Sequence, residues 1–204
     1  MYPSLLDRVI KTPFDPHYFY QGAWLAREVA ASGARYHVDI GSSIMTIGAL
    51  SGFVRTTFVD YRPLQTVLTG LNCQAGDINH LSFEDNSVTS LSCMHVIEHI
   101  GLGRYGDPLD PDGSIRAARE LQRVLKPGGL LFLSVPVGRE RVCFNSHRIF
   151  APDKIQVLFP GLKLISFSYV SDDGHFFTGR PTSEAAGSEY ACGMYVFKKE
   201  ETSD

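Results

Sequence analysis

The chain has 204 residues, 44% apolar and 20% charged, enough to bury one full core without disulfide or metal support, so one domain over residues 1–204 is expected. That balance excludes a disordered tail and a collagen-like or coiled-coil rod. A formal net charge of −3 provides no basic field for an extended nucleic-acid interface, though it leaves room for a local basic patch.

From the N-terminus, Met1 to Asp15 has no basic segment followed by an apolar run, and no later stretch approaches the ~20 apolar residues that span a bilayer. Export and membrane insertion are not expected. The four cysteines, Cys73, Cys93, Cys143 and Cys192, form no C-x-x-C pair, which fits reduced thiols in a cytoplasmic protein and neither a zinc ribbon nor a thioredoxin-like site. Phe19, Trp24, Leu25 and Val29 recur at helical spacing and predict a helix from about Asp15 to Ser32, stopped at Ser32-Gly33. A β-prone run, Tyr36 to Ile40, then meets a polar turn and a small apolar segment, Ile44 to Leu50, read as a helix.

The alternation continues. A second strand, Thr56 to Val59, ends at Asp60; Leu64 to Leu71 reads as a crossover helix, and Asn72 to Ala75 as a third strand. Val88 to Met94 is a fourth strand. A helix from Ile115 to Leu125 is expected to stop at Lys126-Pro127-Gly128-Gly129, before a fifth strand from Leu130 to Val135. Lys163 to Val170 and Gly193 to Lys198 are β-rich, with a polar segment from Ser171 to Tyr190 between them, and predict an antiparallel C-terminal strand pair. The chain thus reads as an α/β fold: a Rossmann-like, mostly parallel seven-stranded sheet with helices on both faces. It divides into an N-terminal helical segment (1–34), a ligand-binding core (35–135) and a part that completes the sheet (136–204).

In such sheets ligands sit beyond the carboxyl ends of the strands. Four strand ends here are polar. Gly41 after the first permits close backbone approach, while Ser42 and Ser43 offer N–H groups and hydroxyls. Asp60 follows Asp39 by about 20 residues, the distance at which a second carboxylate accepts from both hydroxyls of a ribose. In Gly76-Asp77-Ile78 the carboxylate suits an exocyclic amine and Ile78 a ring face, which together describe a nucleoside-shaped pocket. His95, Glu98 and His99 follow the fourth strand.

Taken as a set, Asp39-Ile40-Gly41-Ser42-Ser43, Asp60, Gly76-Asp77-Ile78, Met94 to Ile100 and Leu125-Lys126-Pro127-Gly128-Gly129-Leu130 resemble the class I S-adenosylmethionine-dependent methyltransferases. The match runs from Tyr36 to Val135. The resemblance implies S-adenosylmethionine as cofactor, with Asp39, Gly41, Ser42, Ser43, Asp60, Gly76, Asp77, Ile78 and His95 around it. It implies methyl transfer to a hydroxyl of a sugar, glycan intermediate or small metabolite. Nothing in the pattern sets an oligomeric state. One departure stands out: Ser43 and Met45 replace the second and third glycines of the family's first loop, which makes that loop less permissive and keeps open a non-catalytic binding or scaffold protein of the same fold.

A hydroxyl acceptor calls for a general base, and His99, Asp107 and His147 follow the fourth and fifth strands. Each also has a purely local reading: His99 as a cap of backbone groups, Asp107 as a turn residue, His147 as an orienter of the next turn. Likewise His17, Tyr20 and Trp24 either close over the cofactor or pack as core, and Arg139, Arg141 and Arg148 either meet an anionic acceptor or form a solvated face. The loop Gly101 to Gly113 falls where this fold places acceptor-binding insertions. His95-Val96-Ile97-Glu98-His99 also fits the H-x-x-E-H pattern of inverted zinc peptidases, which requires both histidines on one helix. No metal is expected. A nicotinamide dehydrogenase lacks its G-x-G-x-x-G here.

Overall fold

In the computed structural model, which describes residues 10–201, the Asp15 carboxylate accepts from the backbone N–H of His17 at 2.9 Å and Tyr18 at 3.2 Å. With Pro16 in the first turn this opens helix α1, Pro16–Ala31. Of the N-terminal segment read for a leader, residues 1–9 lie outside the described residues. Among those described, no helix is long and apolar enough to cross a membrane.

The strands and helices that follow are β1 (Tyr36–Ile40), α2 (Ile44–Leu50), β2 (Arg55–Asp60), β3 (Leu71–Ala75), β4 (Val88–Met94), α3 (Gly113–Val124) and β5 (Leu125–Val137). After them come β6 (Arg141–Cys143), β7 (His147–Ile149), α4 (Lys154–Leu158), β8 (Leu162–Val170), β9 (Phe176–Phe177) and β10 (Ala191–Lys199). The main sheet runs β3-β2-β1-β4-β5-β10-β8-β9. Its first five strands are parallel; β10 runs antiparallel between β5 and β8. The predicted C-terminal pair is thus β8 and β10, and the two-residue β9 adds an eighth strand at the edge.

Alternation along the strands separates two cores. Val38, Ile40, Leu131, Leu133 and Val135 pack with Ala117, Ala118, Leu121 and Val124 of α3 on one face. Phe58, Met94 and Phe132 pack with Trp24, Leu25 and Val29 of α1 and Ile47 and Leu50 of α2 on the other. Helices cover both faces, as expected of a parallel sheet.

Two local expectations are corrected. No helix forms between β2 and β3: residues 61–70 make an irregular connection closed by a Leu68–Leu71 bridge. Thr66, Val67 and Thr69 lose side-chain freedom in a helix, Gly70 sits at φ +85°, and Val67 is fully exposed, so no buried face rewards helix formation. The second correction concerns Lys126-Pro127-Gly128-Gly129, which is a bulge inside β5. The β4 pairing jumps from Val88–Leu125 to Ser90–Leu130, and Gly128, at φ +77°, supplies the left-handed turn that absorbs the extra residues.

The connections leave β1 toward β2 and β3 on one side and return to β4 and β5 on the other. The carboxyl ends of β1 and β4 therefore diverge, and a cleft opens over them.

Candidate active site

Asp39 is the lowest piece of the site. Its carboxylate is fully buried and accepts from Ser42 N at 3.0 Å, Ser42 Oγ at 2.6 Å and the Ser92 hydroxyl. Ser42 Oγ in turn accepts from Met94 N at 3.1 Å, which ties the turn after β1 to the end of β4. Behind Ser92 stands His37, whose ring nitrogens lie 2.8 Å from Ser90 Oγ and 2.8 Å from Ser92 Oγ. Burial raises Asp39 to about 6, against the hydrogen bonds from Ser42 and Ser92, with Asp60 adding to the rise; burial lowers His37 to about 4. Asp39 thus lies beneath the cleft and shapes its floor.

Above this floor, one compartment of about 260 Å³ is lined by Gly41, Asp60, Gly76, Asp77, Ile78 and His95, among others. Gly41 has φ +65°, and a Cβ there would meet Val96 Cγ2 at 3.2 Å. A Cβ on Gly76 would strike Val59 Cγ1 at 2.3 Å. Conformation requires the glycine at 41, and space requires the one at 76. Asp60 Oδ1 accepts from Arg62 N at 2.7 Å, and Asp77 Oδ1 from Asn79 N at 2.9 Å and Asn79 Nδ2 at 3.3 Å. The Oδ2 of each carboxylate has no hydrogen-bond partner among the described residues.

A second compartment, about 560 Å³, shares Gly41, His95, His99 and Tyr105 with the first and adds Ser42, Ser43, Tyr18, Arg104, Ser146, His147 and Tyr190. His95 sits at φ +56° at the end of β4, and Ile97–His99 is a single 3₁₀ turn. The two histidines of the H-x-x-E-H pattern therefore do not share a helix, and among the described residues no three His, Cys, Asp or Glu side chains form a cluster able to hold a metal.

Between these histidines lies Glu98, fully buried. Neither of its carboxyl oxygens has a hydrogen-bond partner among the described residues; His95 Nδ1 is 3.3 Å and His99 Nε2 3.8 Å from Oε1. Burial pushes Glu98 up to about 8 and His95 down to about 3, so at neutral pH the group is an uncharged acid beside an uncharged imidazole.

The three candidate bases differ. His99 Nδ1 donates to Ser146 O at 2.7 Å, leaving Nε2 turned to Glu98. Asp107 accepts from the backbone N–H of Gly101 at 2.8 Å, Gly103 at 3.3 Å and Tyr105 at 3.2 Å. Burial pushes Asp107 up, but these hydrogen bonds outweigh it and hold the carboxyl below its usual value. It folds the loop and has little acceptor capacity left. His147 Nδ1 pairs with Ser146 Oγ at 2.8 Å, and Nε2 has no hydrogen-bond partner among the described residues. Burial first, then the charges of Arg104 and Arg141, lower its pKa, so the ring is neutral near pH 7.

Of the aromatic residues weighed for closure, Trp24 is core, T-shaped to Phe132 at 6.3 Å, and Tyr20 stacks on Phe176 at 5.0 Å. His17 stacks on Tyr190 at 5.6 Å. Tyr18, one residue along α1, is the one that lines the cleft. Arg139 and Arg141 pair with Glu189 at 2.9 and 3.6 Å, and Arg148 clamps the loop through Ile100 O at 2.7 Å and Asp110 O at 3.3 Å. Sequence reasoning missed Tyr18, Arg104, Tyr105, Ser146 and Tyr190. Only Arg104-Tyr105 carried a signal, as the large side chains among the glycines and prolines of the 101–113 loop.

Solved structures of similar fold include methyltransferases and a cyclase. NodS, an N-methyltransferase from Bradyrhizobium japonicum solved with S-adenosylhomocysteine, gives a TM-score of 0.67 at 16% identity, over 92% of this chain and 89% of that one. The 1,6-didemethyltoxoflavin N1-methyltransferase of Burkholderia thailandensis gives 0.61 at 13%, over 95% and 94%. SpnF, a [4+2]-cyclase, gives 0.65 at 15%, over 89% and 81%. The fold is that of the class I S-adenosylmethionine-dependent methyltransferases. Ubiquinone biosynthesis O-methyltransferases of Xanthomonas oryzae pv. oryzae are 32% identical over 114 residues, 55% of this chain, and the match spans 38% of their own length. A family model described as "Caenorhabditis protein of unknown function, DUF268" matches residues 78–199, more than half of the chain, from Ile78 in the first compartment through the last strand; the chain belongs to that family.

Proposed function

We propose that this chain is a cytoplasmic, one-domain methyltransferase that binds S-adenosylmethionine and methylates a hydroxyl of a small molecule or glycan. One observation carries this reading: Gly41, Asp60 and Gly76-Asp77-Ile78, from three strand ends, line one compartment, and each carboxylate keeps one oxygen without a hydrogen-bond partner among the described residues. The fit is chemical as well as spatial. Asp60 Oδ2 suits a ribose diol, Asp77 an exocyclic amine and Ile78 a ring face, while Gly41 and Gly76 let Val96 and Val59 pack against the wall of the compartment where a Cβ would meet them. Ser42 and Ser43 keep the first loop open despite the missing glycines, because Asp39 holds Ser42 from below.

The cofactor supplies an electrophilic methyl group on a sulfonium; the residues around the second compartment bind the acceptor, align it and take its proton. His147 Nε2 is the base that the geometry favours, oriented by Ser146 Oγ. His99 braces the 104 loop against the β6–β7 hairpin. A thermal-melt titration with S-adenosylmethionine and S-adenosylhomocysteine tests the reading. Near 100 times the dissociation constant, binding adds about 2.7 kcal/mol, a rise of roughly 5–10 °C for a chain of this size. No rise with either ligand would sink it.

Replacing Asp60 with Asn is expected to weaken S-adenosylhomocysteine binding roughly 10- to 100-fold by calorimetry, with little change in melting temperature, since among the described residues the Asp60 carboxylate bonds only Arg62 N. Equal affinity of the two proteins would remove Asp60 from the site. His147→Asn is expected to lower the methyl-transfer rate about 10²- to 10⁴-fold with cofactor affinity unchanged. The second reading, a non-methylating enzyme or binder on the same scaffold, is favoured by the likeness to the [4+2]-cyclase. It predicts cofactor binding with no methyl transfer across a broad acceptor panel.

A further inference from the structure

Among the described residues, Arg104 is the only one lining the second compartment that carries a formal charge at neutral pH. Of the other arginines near the cleft, Arg139 and Arg141 are answered by Glu189, Arg116 by Asp110 and Arg148 by three backbone carbonyls, while Arg62, in the first compartment, lies over the Tyr105 ring. Arg104 has no carboxylate within 4.0 Å among the described residues. Its Nη1 donates to Ser146 O at 3.2 Å and stands 3.3 Å from His99 Nδ1, while Nε and Nη2 have no protein partner among those residues.

The position is built. Asp107 gathers three backbone N–H groups of the loop, Arg148 fastens both its ends, and the guanidinium lies 5.2 Å from the Tyr105 ring centre, with Arg62 also 5.2 Å from it. The surrounding groups are neutral: the hydroxyls of Tyr18, Tyr105 and Tyr190, the imidazoles of His99 and His147, and Glu98 beneath. A guanidinium fork with open donors, held in a cleft without a counter-ion, is a receptor for a planar or tetrahedral oxyanion.

We propose that Arg104 seats an oxyanion of the acceptor, so that the substrate is a hydroxyl-bearing small molecule that also carries a carboxylate or phosphate. This rests on the methyltransferase reading. Arg104 shares its compartment with the first loop, Gly41, Ser42 and Ser43, as well as with His99, Ser146 and His147, so the two anions in play are separated by experiment: with S-adenosylhomocysteine bound first, the cofactor's carboxylate site is filled and a further anion is the acceptor's. An acceptor anchored there places a hydroxyl within the same compartment as His147 Nε2.

The test uses the full chain saturated with S-adenosylhomocysteine and two matched probe pairs, phenyl phosphate against phenol and benzoate against benzyl alcohol, followed by calorimetry and thermal melt. At least one charged probe is expected to bind and neither neutral partner to do so. Arg104→Gln is expected to weaken the charged probe roughly tenfold or more and to leave S-adenosylhomocysteine affinity within about twofold. Arg139→Gln, outside the cleft, is expected to change neither. Binding of charged and neutral probes alike, binding of none, or an unchanged charged probe in Arg104→Gln overturns the proposal. A parallel loss of S-adenosylhomocysteine affinity in Arg104→Gln overturns it too, by assigning the guanidinium to the cofactor. Failure of the wild-type chain to bind S-adenosylhomocysteine, seen before any probe is added, marks instead the failure of the methyltransferase reading.

Discussion

Glu98→Gln is expected to raise the melting temperature at pH 8 and to flatten its fall between pH 6.5 and 8. In the unfolded chain this carboxyl titrates near its ordinary 4.5, and in the fold burial pushes it up to about 8. Between those values the folded state holds one proton more, so its contribution to stability is fully present below 4.5 and is lost as pH rises to about 8. The slope is about 1.4 kcal/mol per pH unit, or roughly 2 kcal/mol across pH 6.5–8. At about 2–4 °C per kcal/mol for a chain of this size, that is roughly 4–8 °C.

The window matters because other buried groups act below it. His95 and His37, lowered to about 3 and about 4, give stability that rises with pH up to their ordinary 6.5, and Asp39, raised to about 6, works in the opposite sense over 3.8 to 6. Above 6.5 these have largely finished titrating. Glutamine has nearly the same shape and nothing to ionise. Parallel wild-type and variant curves from pH 6.5 to 8 would show that Glu98 is not the buried acid described above.

Asp39→Ala is expected to cost about 3–5 kcal/mol in urea unfolding. The alanine strands three donors, Ser42 N, Ser42 Oγ and Ser92 Oγ, in a fully buried position, and each unpaired buried group costs about 1–3 kcal/mol. Cofactor affinity falls with it, because the turn that carries Gly41 loses its tie. Asp39→Asn keeps an acceptor for Ser42 N and is expected to cost only about 1 kcal/mol, with cofactor affinity nearly retained. The two substitutions thus separate shaping of the floor from contact with the ligand. A loss below 1 kcal/mol in the alanine variant would mean that the buried network contributes little, and a large affinity loss in a stable asparagine variant would mean that the charge itself faces the ligand.

The same residue shows how far the sequence reached. Asp39, Gly41, Asp60 and Asp77 were legible because they end β-prone runs, and a parallel sheet brings the carboxyl ends of its strands to one edge. Period and turn chemistry sufficed for that, and β1, α2 and β4 begin and end where the pattern placed them. The pattern could not tell a carboxylate that faces the cleft from one that lies beneath it: Asp39 and Asp60 both sit within a residue of a strand's end, but only in three dimensions does Ser92 of β4 come up under Asp39. The helix expected at Leu64 to Leu71 failed for a related reason, since helical spacing of apolar residues is rewarded only where a partner surface buries them.

The local pattern of the chain therefore determined the α/β alternation, the parallel core and the edge at which a nucleoside-shaped ligand belongs, because these follow from short-range periodicity and the left-handed turn that Gly41 permits. Tertiary structure alone decided the acceptor side. Tyr18 comes from α1, Arg104 from a loop, His147 from a hairpin and Tyr190 from the segment before β10. These residues are far apart along the chain and carry no shared spacing, so only the packing of α1, the loop and the hairpin over the sheet edge brings them together and, among the described residues, leaves Arg104 without a counter-ion and buries Glu98 without a hydrogen-bond partner.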